Sequence, residues 1–211
     1  THDLLTGIYN EQYFEERVTE TLRTAGKPYV MITSDIKDFK LVNDMLGTQR
    51  GDEILKMHAH FFRERAKDDD LYCRLNEDQF AFCMPKERFT EDLFLDVMDR
   101  LADTFANEYF RLQIYMGVYE ITDVTEPVFV MVDKCNLAIN TIKGDYARRV
   151  AYFDDALLQK ELEKNLIINE FEQALAMGQI QIYLQAQTTK DGSLLGAEAL
   201  ARWIHPIKGP I

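Results

Sequence analysis

A short hairpin pattern in the middle of the chain limits the fold more than any other segment. Two apolar, β-rich runs, Leu71 to Leu75 and Phe80 to Met84, are separated by the polar residues 76–79. Runs of this kind, joined by a few polar residues, are typical of two antiparallel strands connected by an exposed turn. The sequence therefore predicts a β-hairpin whose tip carries only polar side chains.

The segments on either side of the hairpin alternate between helical and strand patterns. A helix is predicted from Asn10, a favourable N-cap, to about Ala25. A buried strand is predicted from Tyr29 to Thr33, and it ends at Asp35. Further helices are predicted before Gly47 and over 52–66, 90–105, 127–142 and 154–177, and further strands over 112–119, 150–153, 179–187 and 194–203.

Composition and charge limit the class of function. Apolar residues make up 46% and charged residues 28% of the 211 residues, which is usual for a globular protein with a core. The net charge is −12, and a surface this acidic repels phosphate backbones, so binding of a nucleic-acid polymer is not expected. The negative net charge does not exclude a nucleotide substrate, because metal ions can neutralise the charge of a triphosphate.

The cysteines and the hydropathy pattern indicate a cytoplasmic domain. Cys73, Cys83 and Cys135 are odd in number and far apart, which fits neither a disulfide framework nor a zinc site. No apolar run reaches the length of a membrane-spanning helix. Because the chain begins with Thr1 rather than with methionine, an upstream membrane anchor in a longer protein is compatible with the sequence.

Three motifs in order resemble the GGDEF domains of diguanylate cyclases. They are DLLTGIYN (Asp3–Asn10), a block that opens with SDIKDFK (Ser34–Lys40) and extends to Gly51-Asp52, and RLNEDQF (Arg74–Phe80), which stands where the signature RxGGDEF belongs. The resemblance covers about residues 1–155. It implies an α+β fold with a central, mainly antiparallel sheet flanked by helices, as in nucleotidyl cyclases and polymerase palms.

The last part of the chain resembles the first strands of an EAL phosphodiesterase domain. The similar segments are QAQ at 185–187, EAL at 198–200, RW at 202–203 and HP at 205–206. The implied organisation is a GGDEF-like domain over 1–155, a connecting helix over 156–177 and the truncated start of an EAL domain, a C-terminal β-hairpin, over 178–211. The remainder of the EAL domain is then an expected partner.

The EAL resemblance assigns roles to three residues of this tail. The family's match of Glu198 binds the catalytic metal, the match of Arg202 contacts cyclic di-GMP, and Gln185 lies in the first matching strand. The later EAL motifs would lie beyond Ile211, so these side chains could equally be ordinary strand residues.

The GGDEF resemblance implies a metal site. Family members join two GTP molecules into cyclic di-GMP in a dimer, with Mg²⁺ or Mn²⁺ on the phosphates. Asp35, the backbone carbonyl of Ile36 and Asp78 match the metal ligands, and the match of Asp78 is also a suspected base for the attacking hydroxyl. From the residues alone, Asp35 could instead cap a helix and Asp78 could be a turn residue.

The resemblance also implies a guanine site. Asn43 and Asp52 match the pair that binds the guanine edge, where an amide and a carboxylate complement O6, N1–H and the amino group. Lys40 matches a lysine that contacts phosphate. The alternatives are a polar helix surface for Asn43, a helix cap after Gly51 for Asp52 and a solvated charge for Lys40.

The signature departs from the family pattern. Asn76 and Glu77 replace the glycine pair that contacts the nucleotide, Gln79 replaces an acid, and Lys37 replaces the acid two residues after Asp35. Glycine permits positive φ and close approach of the backbone to phosphate, whereas glutamate does not, and Glu77 adds negative charge beside a triphosphate. We therefore predict a degenerate site with impaired cyclase activity.

The family's product-inhibition motif RxxD is altered as well. The corresponding frame runs from Lys67 to Asp70, and lysine keeps the charge of arginine but lacks its planar fork. In the K-x-x-G-R pattern that starts at Lys143, Ala147 takes the place of a partner arginine. We expect cyclic di-GMP to bind weakly at this site.

Three functions are compatible with these patterns. The first is a catalytically impaired regulatory domain that binds GTP and controls the EAL phosphodiesterase. The second is an active diguanylate cyclase, and the third is a dimerisation scaffold that binds no nucleotide. The retained metal and guanine positions favour the first over the third, and the altered hairpin tip favours the first over the second.

Overall fold

The structure, a computed structural model, describes residues 1–106 and 110–210. It divides into two units, Thr1–Leu157 and Leu158–Ile211. The strands of the first unit are β1 (Tyr9–Asn10), β2 (Tyr29–Ile36), β3 (Leu71–Asn76), β4 (Gln79–Pro85), β5 (Ile114–Glu120) and β6 (Val150–Tyr152). Its helices are α1 (Glu11–Thr24), α2 (Phe39–Leu46), α3 (Thr48–Arg65), α4 (Glu91–Thr104) and α5 (Val128–Asn140).

The sheet of the first unit is mixed and mainly antiparallel. Its strand order is β1-β3-β4-β2-β5-β6. The four inner strands pair antiparallel, while the short edge strands β1 and β6 pair parallel with β3 and β5. The predicted α+β architecture, with helices flanking a central sheet, is confirmed.

Strand β2 crosses the centre of the sheet and is buried along its whole length. Successive side chains of a strand point to opposite faces. Val30 and Ile32 pack in one core with residues of α3 and α4, whereas Met31 packs in a second core with residues of α1 and α5. The same alternation places Asp35 on the face that α1 and α5 cover.

Helix α5 lies very close to the sheet on this second face. A Cβ added to Gly117 of β5 would lie 2.0 Å from the carbonyl oxygen of Cys135, so only glycine permits this approach. The Cys135 thiol donates to the carbonyl of Met31 at 3.3 Å, and the Thr33 hydroxyl donates to the Asn136 amide oxygen at 3.0 Å. These contacts fix the C-terminal end of α5 near the end of β2.

The structure settles two alternatives about helix caps. Helix α3 begins at Thr48 rather than at Asp52, because Gly47, with φ of +85°, ends α2 and caps α3 directly. Asp52 therefore lies inside α3 and does not cap it. The residue at the N-cap of α2 is Asp38, so Asp35 is a strand residue.

The hairpin tip is tighter than predicted. Strand β3 extends to Asn76 and β4 begins at Gln79, and these two residues pair with each other. The turn therefore consists of Glu77 and Asp78 alone. Strand β1 and a short 3-10 helix, Lys86–Arg88, were not predicted, because two or three residues are too few to show a periodic pattern.

The three cysteines belong to the core of the first unit. Cys73, Cys83 and Cys135 are buried as free thiols in β3, β4 and α5. Burial raises the pKa of all three thiols, because it disfavours the charged thiolate. They are therefore packing residues rather than reactive ones.

The second unit is a helix followed by an antiparallel sheet. It contains most of α6 (Asp155–Ala176), then β7 (Ile180–Thr188), β8 (Leu194–His205) and β9 (Gly209–Pro210) in the order β7-β8-β9. The Trp203 indole donates to the side chain of Gln179 at 3.1 Å, and His205 Nε2 lies 2.9 Å from a carboxylate oxygen of Glu170 on α6. The predicted C-terminal hairpin is confirmed. None of the described helices, α6 included, is long and apolar enough to cross a membrane.

Candidate functional site

Asp35 and Asp78 lie together where β2 ends beside the β3–β4 turn. Asp35 is the last residue but one of β2, and Asp78 is the second residue of the turn. One carboxylate oxygen of Asp78 accepts a hydrogen bond from the backbone N–H of Ile36 at 3.0 Å. The two carboxylates predicted from separate motifs are thus brought to one place.

The Asp35 carboxylate is close enough to raise the pKa of Asp78. The pKa of Asp78 is raised to about 6, first because the side chain is largely buried and then because of the negative charge of Asp35. The hydrogen bond from Ile36 opposes this shift only in part. A cationic group between the carboxylates is therefore favoured electrostatically.

The cationic group that the structure places beside Asp35 is the side chain of Lys143. Its ammonium lies 3.2 Å from Asp35 Oδ2, and the Gln79 amide donates to the same oxygen at 3.3 Å. Lys143 follows α5, and the next residue, Gly144, donates its N–H to the Tyr115 hydroxyl at 3.2 Å. Tyr115 is the cross-strand partner of Asp35, so this contact positions Lys143 next to that carboxylate.

Sequence reasoning did not assign a site role to Lys143 or Tyr115. In the sequence, Lys143 only marks the start of the K-x-x-G-R pattern, directly after a predicted helix. The contribution of Tyr115 depends on strand register, for which the sequence carried no signal.

The turn keeps a left-handed conformation without glycine. Glu77 has φ of +31°, and its carbonyl accepts hydrogen bonds from Arg74 Nε at 2.9 Å and Nη2 at 2.5 Å. The same guanidinium contacts Asp3 at 3.3 Å. Among the described residues, the one other non-glycine residue with positive φ is Asp38, which follows β2, so both strained positions lie beside the carboxylates. The side chains of Asn76 and Glu77 are exposed.

Asp3 belongs to a closed N-terminal loop. The Asn10 N–H donates to the Thr1 carbonyl at 3.1 Å, and the Asp3 N–H donates to the Ile8 carbonyl at 2.8 Å. The Asp3 carboxylate accepts from the Thr6 N–H at 2.8 Å. Through Arg74, this loop is connected directly to the turn.

The predicted guanine-binding side chains lie on adjacent helices. Asn43 is on α2 and Asp52 on α3, and a Cβ on Gly51 would lie only 1.8 Å from the Asn43 side-chain oxygen. Gly51 therefore lets the Asn43 amide approach α3 next to Asp52. Lys40 is exposed on α2, one helical turn before Asn43, so both lie on one side of that helix.

Asp70 of the predicted inhibitory site is engaged within the protein. Its carboxylate accepts from the Lys67 N–H at 2.9 Å and from Arg88 Nη1 at 2.5 Å. The Asp70 side chain is 8% exposed, whereas Lys67 is exposed. Asp70 thus closes a loop, and weak binding of cyclic di-GMP there stays a prediction.

The three EAL-like positions share one face of the second sheet. Gln185 of β7 pairs directly with Glu198 of β8, and Arg202 lies four residues further along β8. The period of two residues places these side chains on the same face, and all three are exposed. Their assigned roles stay predictions.

Asp35, the backbone carbonyl of Ile36 and Asp78 are the predicted metal ligands, and their role stays a prediction. Asp35 Oδ2 accepts hydrogen bonds from Lys143 and Gln79, and Asp78 Oδ2 accepts one from the Ile36 N–H. Within residues 1–106 and 110–210, no group of three or more His, Cys, Asp or Glu residues is arranged to hold a metal. The cation that this arrangement contains is an ammonium group.

Comparison with known proteins gives a consistent family. A family model described as "Diguanylate cyclase, GGDEF domain" matches residues 1–147. The cyclic di-GMP phosphodiesterase NbdA of Pseudomonas aeruginosa is 26% identical over 216 residues, which cover 99% of this chain and 28% of that protein. The chain spans between 26% and 34% of the length of such curated relatives.

Solved structures share the fold. The GGDEF domain of DgcB from Caulobacter crescentus, solved in complex with c-di-GMP, matches with a TM-score of 0.58 and 20% identity over 72% of this chain and 92% of that chain. The S helix-GGDEF-EAL structure of LapD from Vibrio cholerae, bound to c-di-GMP, matches with a TM-score of 0.59 and 17% identity over 97% of this chain and 49% of that chain.

Proposed function

The chain belongs to the GGDEF domain family of diguanylate cyclases, and on this basis we propose that it is a regulatory domain that binds GTP but has impaired cyclase activity. One observation carries the proposal: the side chains predicted to bind the nucleotide match the family pattern, and Asn43 lies against Gly51, next to Asp52, while the hairpin turn is altered. If the guanine-binding residues are retained and the hairpin turn is altered, the domain is better suited to sensing GTP than to converting it.

The guanine side of the proposal rests on Asn43 and Asp52. The amide and the carboxylate lie on adjacent helices, and Gly51 is the residue that permits their approach. Together they offer the donors and acceptors that complement the guanine edge. Lys40, exposed one helical turn away, supplies positive charge for phosphate.

Impaired catalysis is inferred from the turn. Glu77 carries a charge that repels a triphosphate, and its carbonyl is bonded to Arg74. Gln79 uses its amide as a donor to Asp35, where the family pattern has an acid. Catalysis by Asp78, and a need for Mg²⁺ or Mn²⁺, were predicted from the family resemblance and stay predictions.

We place the domain in a longer signalling protein with an EAL domain as its partner. The tail carries the motifs at 185–187 and 198–200 that resemble an EAL start, and the fold match to the LapD GGDEF-EAL structure extends over 97% of this chain. In that setting, helix α6 would connect the GTP site to the phosphodiesterase. Pairing of two chains is expected where two GTP molecules must meet.

The test is calorimetry with GTP on this chain. We expect saturable binding of GTP and much weaker binding of ATP, which offers a different hydrogen-bonding edge. Asp52→Ala should weaken GTP binding by about tenfold or more, since one hydrogen bond to a charged group is lost. The matched control is Asp92→Ala, which removes an exposed carboxylate on α4 and should leave binding unchanged.

Two results would select the other functions. Cyclic di-GMP accumulating in the same samples would support the active cyclase. Absence of GTP binding under all conditions, with the protein folded, would support the dimerisation scaffold.

A further inference from the structure

We propose that a cavity between α1, α5 and the β3–β4 hairpin binds a small organic ammonium ion, that is, a compound with one apolar group and one protonated amine. The cavity has a volume of about 140 Å³, and we call it the α1–α5 cavity. The inference goes beyond the proposed function, and it does not require that GTP binds.

The wall of the α1–α5 cavity is apolar and comes from both helices. Phe14 of α1 and Val128 of α5 are buried, and Val132, one turn further along α5, is half-buried. The ring of Phe129 lines the same space and is 58% exposed, although it is large and apolar. A dry, apolar cavity of about 150 Å³ accommodates benzene, so this volume fits one small ring or a short branched chain.

The charged side chains that line the cavity are all acidic. They are Glu11 and Glu15 of α1 and Asp133 of α5, and among the described residues no Lys or Arg lines the cavity with them. Within residues 1–106 and 110–210, none of these three carboxylates forms an ion pair. Burial raises the pKa of Glu15, and the negative charge of Glu11 raises it further. A positive charge in the cavity would relieve this repulsion.

The arrangement fits an organic cation better than a metal ion. A metal ion needs several ligand atoms that converge on one point, and no group of three or more His, Cys, Asp or Glu in the described part of the chain is arranged in that way. Here the carboxylates line a cavity that is otherwise mainly apolar. An ammonium group can donate to the carboxylates while the apolar group attached to it contacts Phe14 and Val132.

The cavity also reaches the side chains that hold the hairpin turn. Asn76 and Gln79, which pair with each other across the turn, both line it. The Gln79 amide donates to Asp35 Oδ2 at 3.3 Å. Asn136, whose amide oxygen accepts from the Thr33 hydroxyl, is a third amide in the lining. A compound bound in the cavity would therefore contact side chains that are bonded directly to the last residues of β2.

The experiment is a titration of this chain with phenethylamine, followed by protein NMR. We expect saturable binding with a dissociation constant of about 1 mM or tighter. Phenethyl alcohol has the same ring but no charge, and it should bind about tenfold more weakly or worse, because the charged hydrogen bonds are lost. The anion phenylpropionate should not bind. Absence of saturable binding by phenethylamine would overturn the inference, as would equal binding of the amine and the alcohol.

Charge variants test the role of the carboxylates. Glu15→Gln keeps the shape of the side chain but removes its charge, so it should weaken binding of phenethylamine by about fivefold or more and leave binding of phenethyl alcohol unchanged. The matched control is Glu16→Gln, which removes an exposed charge from the next residue of α1, outside the cavity, and should bind like the unmutated chain. Equal effects of the two variants would contradict the assignment.

A size variant tests the location. Val132→Phe fills the cavity with a larger side chain and should prevent binding of both the amine and the alcohol. A thermal melt shows that each variant is folded. Unchanged binding of the amine by folded Val132→Phe would place it elsewhere and overturn the inference. Displacement of the amine by Ca²⁺ at equal concentration would also overturn it, because the cavity would then be a metal site.

Discussion

At the scale of single residues, Arg74 stabilises the turn in which Glu77 has a positive φ. Its side chain is 16% exposed and holds the Glu77 carbonyl and Asp3 at once. We predict that Arg74→Ala lowers the free energy of unfolding by about 1–2 kcal/mol, because the Glu77 carbonyl and the partly buried Asp3 carboxylate lose a charged partner. Urea denaturation measures this change. Arg17→Ala removes an exposed pair with Glu20 and should change stability by less than about 0.5 kcal/mol; equal effects would contradict the role of Arg74.

His58 should make stability depend on pH. It is fully buried between Phe62 and Phe80, and neither ring nitrogen has a hydrogen-bond partner among the described residues. Burial lowers its pKa from 6.5 to about 3, because the charged form is disfavoured. The unfolded chain therefore binds more protons between these values, so this contribution is complete above about pH 6.5 and is lost as the pH falls.

The loss should approach 1.4 kcal/mol per pH unit below the unfolded pKa, or about 2 kcal/mol between pH 7 and pH 5. Urea denaturation at both pH values, compared with His58→Phe, isolates this contribution from the carboxylates. A variant that keeps the same pH dependence as the unmutated chain would show that His58 titrates normally.

At the scale of helices and strands, alanine variants of two glycines distinguish effects on packing from effects on GTP binding. A Cβ at Gly117 would lie 2.0 Å from a backbone carbonyl of α5, so Gly117→Ala should lower the free energy of unfolding by about 1–3 kcal/mol. A Cβ at Gly51 would meet the movable end of the Asn43 side chain, and alanine is favoured in helices by about 1 kcal/mol. Gly51→Ala should therefore keep or raise stability while weakening GTP binding.

Denaturation and calorimetry on the two alanine variants check this difference. Loss of stability in Gly51→Ala as large as in Gly117→Ala would mean that α2 and α3 cannot adjust around Asn43.

The elements that sequence patterns predicted are those with a clear period or a clear boundary. The central strand, the hairpin and the longer helices contain apolar residues at regular spacing, so their existence followed from local physics. The predicted start of α3 at residue 52 is wrong, because the helix begins directly after Gly47 and includes Gly51. The parallel edge strands depend on long-range pairing, which no local pattern records.

In the candidate site, only the residues that belong to a family motif were predictable from the sequence. Asp35 and Asp78 were expected to meet because two motifs of one family contain them, and the structure brings them together through Ile36. The contact of Lys143 with Asp35 requires α5 to dock at Gly117 and the Gly144 N–H to meet Tyr115. The Lys143–Asp35 contact joins residues 108 positions apart, so it became apparent only in the folded chain.

At the scale of the whole molecule, the first question is catalysis. We predict that this chain, at high concentration with GTP and either Mg²⁺ or Mn²⁺, forms little or no cyclic di-GMP. The reason is the altered turn, with the charge of Glu77 and the Gln79 amide in place of an acid. Chromatography of the products is the measurement, and the combined variant Asn76→Gly, Glu77→Gly and Gln79→Glu should form more product. Rapid product formation by the unmutated chain would contradict the prediction.

Regulation can be tested in the longer protein that we propose. GTP should change hydrolysis of cyclic di-GMP by the adjoining EAL domain, by roughly 5- to 150-fold for a coupling of about 1–3 kcal/mol. This requires GTP to favour one arrangement of the junction over another. Phosphodiesterase rates across a GTP titration, with Asp52→Ala as control, measure the effect. A flat response with an active phosphodiesterase would reject regulation by GTP.

The closed N-terminal loop has a mechanical consequence. Thr1 is bonded to Asn10, and Asp3 is bonded through Arg74 to the turn that carries Glu77. Force applied at Thr1 is therefore passed to the turn beside Asp78 through Asp3 and Arg74, and to strand β3 through its pairing with β1.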